Sequence, residues 1–152
     1  MSARGVNIHA TAIVVGTTGL LFLGPSGSGK SALAFDCLNE ARLFGQFAAL
    51  VADDQVFISR LGKHVVAHRP ETIKGLIELR HGGIVRVDTI PRAMLHHAVM
   101  PVDRATAERL PAREMQATLL DDIRLPLLHV PTDVRLPFSF INALILASAQ
   151  PR

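Results

Sequence analysis

The 152-residue chain has no tryptophan, no tyrosine and a single cysteine. Each shortage removes a class of function. The lone Cys37 has no partner for an internal disulfide. Lying in a stretch that reads as helix, it is expected to be a small buried hydrophobe in a reducing compartment. With no Trp, no Tyr, no dense basic run and a net charge of only +3, the chain offers nucleic acid neither a stacking platform nor a phosphate-tracking stripe. An acidic ligand or protein partner is enough to explain the basic balance. Of the seven histidines (9, 64, 68, 81, 96, 97 and 129), His64 and His68 have H-x-x-x-H spacing, but no Cys/His pattern accompanies them and no zinc site is expected. No apolar run reaches the length that crosses a bilayer, and Met1-Ser2-Ala3-Arg4-Gly5 is not the start of a signal-peptide core. No membrane association and a cytoplasmic location are therefore expected. Repeats, linkers and low-complexity tracts are missing too. At 49% hydrophobic residues, the chain is expected to form one domain over 1–152 with a proper core.

What the sequence does contain is Gly24-Pro25-Ser26-Gly27-Ser28-Gly29-Lys30-Ser31, a full match to G-x-x-x-x-G-K-[ST]. Leu20 to Leu23 is a short apolar run before it, and Ala32 to Leu38 is a helix-compatible run after it. In that order the glycines let the backbone curl until successive N–H groups point inward, forming an anion nest at the positive end of a helix. Lys30 is expected to reach the β- and γ-phosphates, and the Ser31 hydroxyl to join the shell of a Mg²⁺. ATP and Mg²⁺ are thus the expected cofactors. A Gly/Ser-rich turn that merely ends a strand is the plainer reading. The four fixed positions falling between strand and helix count against it.

Taken in order, Asn7 to Val15 reads as a strand carrying His9, and Gly16-Thr17-Thr18-Gly19 as a turn that returns Leu20 to Leu23 as its hairpin partner. The helix after the loop runs to about Leu43, and Phe47 to Ala52 forms the next buried strand. That strand ends in Asp53-Asp54. Adjacent carboxylates at the end of an apolar run are costly to bury unless they meet a metal, a cation or a proton. Here they could touch Mg²⁺ or the attacking nucleophile, or serve proton transfer. An Asp-rich turn opening the hairpin Val56-Phe57-Ile58 / Val65-Val66-Ala67 is the competing reading. Arg69-Pro70-Glu71-Thr72 predicts a helix start, the helix covering Ile73, Leu76, Ile77 and Leu79 and ending at His81-Gly82-Gly83. Ile84 to Val87 then returns as strand. Met94 to Val102 and Leu125 to Val130 read as strands, Arg104 to Met115 as a surface loop with one helical turn, and Pro137 to Ala149 as a buried helix.

His9, the P-loop, Leu50-Val51-Ala52-Asp53-Asp54 and Ile77-Glu78-Leu79-Arg80-His81-Gly82-Gly83-Ile84 together resemble the catalytic domain of HPr kinase/phosphorylase. The likeness is close from Ile8 to Val87 and loose beyond. The resemblance implies an α/β P-loop fold of the phosphoenolpyruvate carboxykinase type, a mixed sheet with antiparallel strands and a C-terminal helix. It implies phosphorylation of a serine of HPr, the phosphocarrier protein of the sugar phosphotransferase system, and reversal with phosphate. Position by position, it makes Asp53 the general base, His9 a residue near the reacting phosphate, and Lys30 the phosphate lysine. Ser31 and Glu78 become Mg²⁺ ligands, with Asp54 supporting the metal or the substrate. A homo-oligomer is also implied.

The chain departs from the family pattern in several places. Ala32 stands where an acidic residue is common, and His81 where glycine is typical. The segment from Ser31 to Asp53 is longer, the arginine-bearing loop is shortened with Arg92 its stand-in, and Pro131-Thr132-Asp133-Val134-Arg135 is a remnant of the C-terminal motif. The N-terminal domain is expected to be missing. These losses bear more on phosphorolysis than on the kinase reaction. Two other readings stay open: a nucleotide-binding regulatory module with degenerate catalysis, and a small-molecule or carboxykinase-like enzyme on the same scaffold.

Overall fold

The computed structural model describes residues 5–71, 75–79, 81–112 and 114–149. In chain order the elements are β1 (Val6–Ile8), β2 (Thr11–Val15), β3 (Thr18–Phe22), α1 (Lys30–Leu43), β4 (Ala48–Ala52), β5 (Val56–Leu61), β6 (His64–His68), β7 (Leu76–Leu79), β8 (Gly83–Arg86), β9 (Arg92–Leu95), β10 (His97–Val102), β11 (Gln116–Leu120), β12 (Ile123–Pro131) and α2 (Pro137–Ser148). Six strands form a mixed sheet in the order β11-β12-β10-β3-β2-β4, and four form a second sheet, β1-β5-β6-β9. In the first, β10 runs parallel to both β3 and β12, while β2 is antiparallel to β3 and β4. The second is antiparallel throughout. Among the described residues β7 and β8 pair only with each other.

The alternation of side chains along the central strands explains the layering. Every residue of β2 and β4 is buried, as expected of strands covered on both faces. Ile13, Val15, Leu20 and Phe22 pack with Leu33, Cys37, Leu38 and Ile141 from the helices. Their neighbours Ala12, Val14 and Leu21 pack with Ile58, Val65, Ala67 and Leu95 of the four-stranded sheet. Helices thus cover one face of the six-stranded sheet, and the second sheet covers the other. The two sheets meet where a Cβ on Gly19 would fall 1.8 Å from the Met94 carbonyl oxygen, so only glycine fits. Among the described residues no helix is long and apolar enough to cross a membrane.

The expected hairpin before the P-loop is present, in register from Thr11↔Phe22 to Val15↔Thr18. Four other expectations change. Asn7 to Val15 is two strands in different sheets, broken at His9-Ala10, so His9 lies in a bend. Met94 to Val102 is likewise split at His96, whose Nδ1 accepts the Gly19 N–H at 2.9 Å while its own N–H donates to Gly19 O at 2.8 Å. The expected helix over Leu76, Ile77 and Leu79 is instead the first strand of the β7–β8 hairpin. Ile77 is buried while Leu76 and Glu78 face out, a period of two that a helix cannot satisfy, and Gly75 precedes the strand at φ +77°. Thr72, Ile73 and Arg80 lie outside the described residues. His81, in the hairpin turn, takes φ +67°, a left-handed conformation that glycine reaches without strain. β11 was not anticipated. It pairs antiparallel with β12.

The fourth change concerns α2. The sequence predicts a buried helix, but only Pro137 and Ile141 are buried, and Leu146 is exposed. Phe138, Phe140 and Ile145 pack half-buried against the core, and a polar anchor adds to them. The buried Glu40 of α1 accepts the backbone N–H groups of Phe138 and Ser139 at 2.9 and 2.8 Å, together with the Ser139 hydroxyl. A carboxylate from a neighbouring helix thereby caps α2, satisfying N–H groups that a helix start leaves orphaned. Glu40→Ala should lower stability by about 2 kcal/mol, and thermal unfolding would read this as a fall of about 4–8 °C in midpoint. Burial pushes the Cys37 thiol well up, with Glu40 and Asp36 adding to it. Cys37 should therefore stay unlabelled by a maleimide until the chain is denatured.

Candidate functional site

The site begins where β3 stops. The chain turns through Gly24, Gly27 and Gly29 at φ +132°, +81° and +99° and enters α1 at Lys30. These angles are open to glycine and strained for other residues. No side chain caps the start of α1, so its first N–H groups are directed at the space inside the loop, the arrangement that binds anions. Lys30 is buried, and its Nζ donates to Gly24 O at 2.7 Å and Pro25 O at 3.1 Å. Burial lowers its pKa, opposed by the nearby charges of Asp54 and Asp53. An anion entering the loop would stabilise the ammonium that burial disfavours.

The two aspartates at the end of β4 face different ways. Asp53 is 9% exposed. Its Oδ1 accepts the Ser31 hydroxyl at 2.6 Å and the Thr11 hydroxyl at 2.8 Å, and its Oδ2 accepts the Glu78 N–H at 3.2 Å. Asp54, at φ +72°, is turned the other way. Its Oδ1 lies 3.0 Å from His9 Nδ1, with 67% of its side chain exposed. On the far side of the same imidazole, His9 Nε2 lies 3.3 Å from both Lys30 Nζ and Ser26 Oγ. An open cleft of about 330 Å³ is lined by His9, Ser26, Lys30, Ser31, Asp54 and Glu78, along with Gly27, Gly29 and Ala32. Asp53 does not line it.

The structure therefore gathers His9, Lys30, Ser31, Asp54 and Glu78 around one cleft, with Asp53 beneath it. Of the remaining loop residues, Gly24 and Pro25 hold Lys30 through their carbonyls. Ser28 Oγ is buried with no partner among the described residues. Arg92 sits on β9 opposite His68 and does not line the cleft. The contacts of two residues escaped sequence reading. Thr11 is fully buried, and its only signal was a hydroxyl opening an otherwise apolar strand. Thr132 packs against the loop, its Cγ2 lying 3.3 Å from where a Cβ on Gly29 would be.

These residues suit Mg²⁺ with a nucleotide. All the candidate donors (Ser31, Asp53, Asp54 and Glu78) are hard oxygens, and the Lys30 ammonium is held by the loop's own carbonyls beside them. Among the described residues no three His, Cys, Asp or Glu side chains converge into a metal cage. Mg²⁺ does not need one, because it is usually held by one or two carboxylates plus phosphate oxygens and water.

Strand, glycine-bent loop and helix, carrying a buried lysine and a serine and faced by strand-end carboxylates, define a P-loop protein on a mixed sheet. The chain belongs to the HPr Serine kinase C-terminal domain family, whose family model matches residues 2–135. It is 33% identical to an HPr kinase/phosphorylase of Bordetella pertussis, over 78% of this chain and 40% of that protein. It is 37% identical to one from Mycoplasma pneumoniae, over 57% of this chain and 26% of that protein. The chain thus spans well under half the length of these relatives. Its fold is that of the Hpr(Ser) kinase/phosphatase from Coxiella burnetii, with a TM-score of 0.72, 21% identity, and coverage of 93% of this chain and 95% of that one.

The loop geometry can be tested at one glycine. A Cβ on Gly24 would lie 2.7 Å from Ser28 Oγ at a φ of +132°. Gly24→Ala should therefore weaken binding of inorganic tripolyphosphate about tenfold, measured by calorimetry, while lowering stability by ~1–2 kcal/mol. Gly45→Ala has a positive φ too, but nothing lies within 4 Å. It should show the stability loss without the binding loss.

Proposed function

We propose that this chain is an ATP-dependent serine kinase acting on the phosphocarrier protein HPr, with reversal by phosphate as a second activity. The observation that carries this reading is the Asp54–His9 pair at 3.0 Å, standing in the same cleft as Lys30 and Ser31. A hydroxyl acceptor needs a proton acceptor beside the phosphate clamp. The family membership and the P-loop support ATP as donor, and such a reaction belongs to the cytoplasm.

The geometry favours exchanging the expected roles of the two aspartates. Asp53 is buried with both oxygens engaged by donors, which suits it to fixing Ser31 and the Mg²⁺ shell. Asp54 is open to solvent and oriented by His9, so a seryl hydroxyl has room to approach it. Mg²⁺, held by Ser31 with Glu78 or Asp53, would neutralise charge on the β- and γ-phosphate oxygens. In the transfer step the seryl Oγ forms a bond to the γ-phosphorus as its proton passes to Asp54. The bond to the β–γ bridging oxygen breaks, and its electron pair leaves with ADP. Lys30 holds the γ-phosphate oxygens, and His9 keeps the Asp54 carboxylate turned toward the acceptor.

Transfer of labelled γ-phosphate to purified HPr, beside an HPr variant with Ala at the acceptor serine, tests the activity directly. Label on the wild-type acceptor alone is expected. Lys30→Ala should reduce both nucleotide binding and transfer. Asp54→Ala should keep Mg-ATP affinity within about threefold and slow transfer by about 10²-fold or more. Undiminished transfer by Asp54→Ala would remove it from the proton-accepting role.

A further inference from the structure

A second cleft, of about 550 Å³, opens at the C-terminal ends of β10 and β12. Its size falls in the range of small-molecule sites. Val102, Thr106, Ala112, Met115 and His129 are among its lining residues, with Asp103 and Glu108 at the same opening. We propose that this cleft takes the nucleoside part of the nucleotide whose phosphates occupy the P-loop. The inference rests on the nucleotide reading above and adds to it where the uncharged end of the ligand goes.

Topology supplies the first argument. β10 and β12 run parallel to β3, so their C-terminal ends lie at the sheet edge from which the P-loop departs. Ligands of open α/β sheets bind in the crevice outside those ends. The carboxylate-bearing end of β4 lies on one side of β3, across β2, and β10 and β12 lie on the other. The reacting phosphate, which Lys30 and a Mg²⁺ on these carboxylates would hold on the β4 side, leaves the opposite direction for the nucleoside. At about 4.8 Å between neighbouring strands, β12 is roughly 10 Å from β3, a span that a nucleotide extending from its phosphates can bridge.

Continuity supplies the second. The P-loop and the cleft are linked through one pair of residues. Thr132 packs on Gly29, and its N–H donates to the carbonyl of Val102 at 3.1 Å. Val102 is itself in the cleft wall. On the loop side, Arg104 Nε donates to both carboxylate oxygens of Asp133 at 3.0 and 3.1 Å, tying residues 103–104 to the segment that carries Thr132.

Chemistry supplies the third. Asp103 and Glu108 would repel a second phosphate or an acidic peptide, but they accept hydrogen bonds from hydroxyl and amino groups. Met115 gives a polarizable surface and His129 a flat one for an aromatic base. An uncharged, hydroxyl-rich nucleoside meets that description.

The test uses calorimetric titration of the whole chain with ATP and, separately, with inorganic tripolyphosphate. Two variants fill or strip the cleft: Ala112→Trp, at an exposed position, and His129→Ala, at a half-buried one. Each is expected to weaken ATP binding about tenfold and leave tripolyphosphate binding unchanged. The chain has no other tryptophan or tyrosine, so the introduced indole should also change its emission with ATP and not with tripolyphosphate. Equal weakening of both ligands, or of neither, overturns the assignment, as does a wild-type chain that binds tripolyphosphate as tightly as ATP. A wild-type chain that binds neither ligand defeats the nucleotide reading itself, and the cleft assignment falls with it.

Discussion

Asp53 is a carboxylate buried at the end of a fully buried strand, a position that is tolerable only where donors surround it. Its donors come from three separate parts of the chain: the Thr11 hydroxyl from β2, the Ser31 hydroxyl from the first turn of α1, and the Glu78 N–H from β7. One side chain thereby fixes the start of the helix that carries Lys30. It also fixes the hairpin that carries Glu78, and it sets where the next residue, Asp54, must turn. The left-handed backbone at Asp54 follows from this, since the two adjacent carboxylates are sent to opposite sides of the strand end. One is buried as an anchor and the other is presented to the cleft.

The central fold was legible because its signals were local and strong. The P-loop has fixed spacing, the hairpin before it has a glycine turn, and β4 is a continuous apolar run. What escaped notice depended on contacts between segments far apart in sequence. His9 and His96 each interrupt what looks like one strand, because the chain passes there from one sheet to the other. Residues 76–79 gave too short a pattern to separate a period of two from a helical one. Family resemblance brought Glu78 to the site whichever element carried it.

The candidate site was legible as a set of residues but not as a division of labour. Spacing could place Asp53 and Asp54 together at a strand end, yet their orientations depend on Thr11 and His9, some forty residues upstream. α2 shows the same limit differently. Its composition is that of a core helix, but only Pro137 and Ile141 are buried, with Phe138, Phe140 and Ile145 half-buried against the core and a carboxylate on α1 capping its start. Glu40 lies on the helix whose first turn carries Lys30 and Ser31, so the phosphate loop and α2 share one rigid element.

The central claim is that Asp53 anchors the phosphate site and is not its proton acceptor. The most direct measurement is the rise in unfolding midpoint on adding Mg-ATP, compared between the wild-type chain and Asp53→Asn. A ligand that binds only the folded state raises that midpoint. The account predicts a clear rise for the wild type. For Asp53→Asn it predicts a lower starting midpoint and a much smaller rise. An amide nitrogen then replaces the oxygen that accepts the Glu78 N–H, and the remaining uncharged oxygen holds the Ser31 hydroxyl less strongly. An equal rise in Asp53→Asn, with phosphate transfer abolished, would contradict the account and return the proton-accepting role to Asp53.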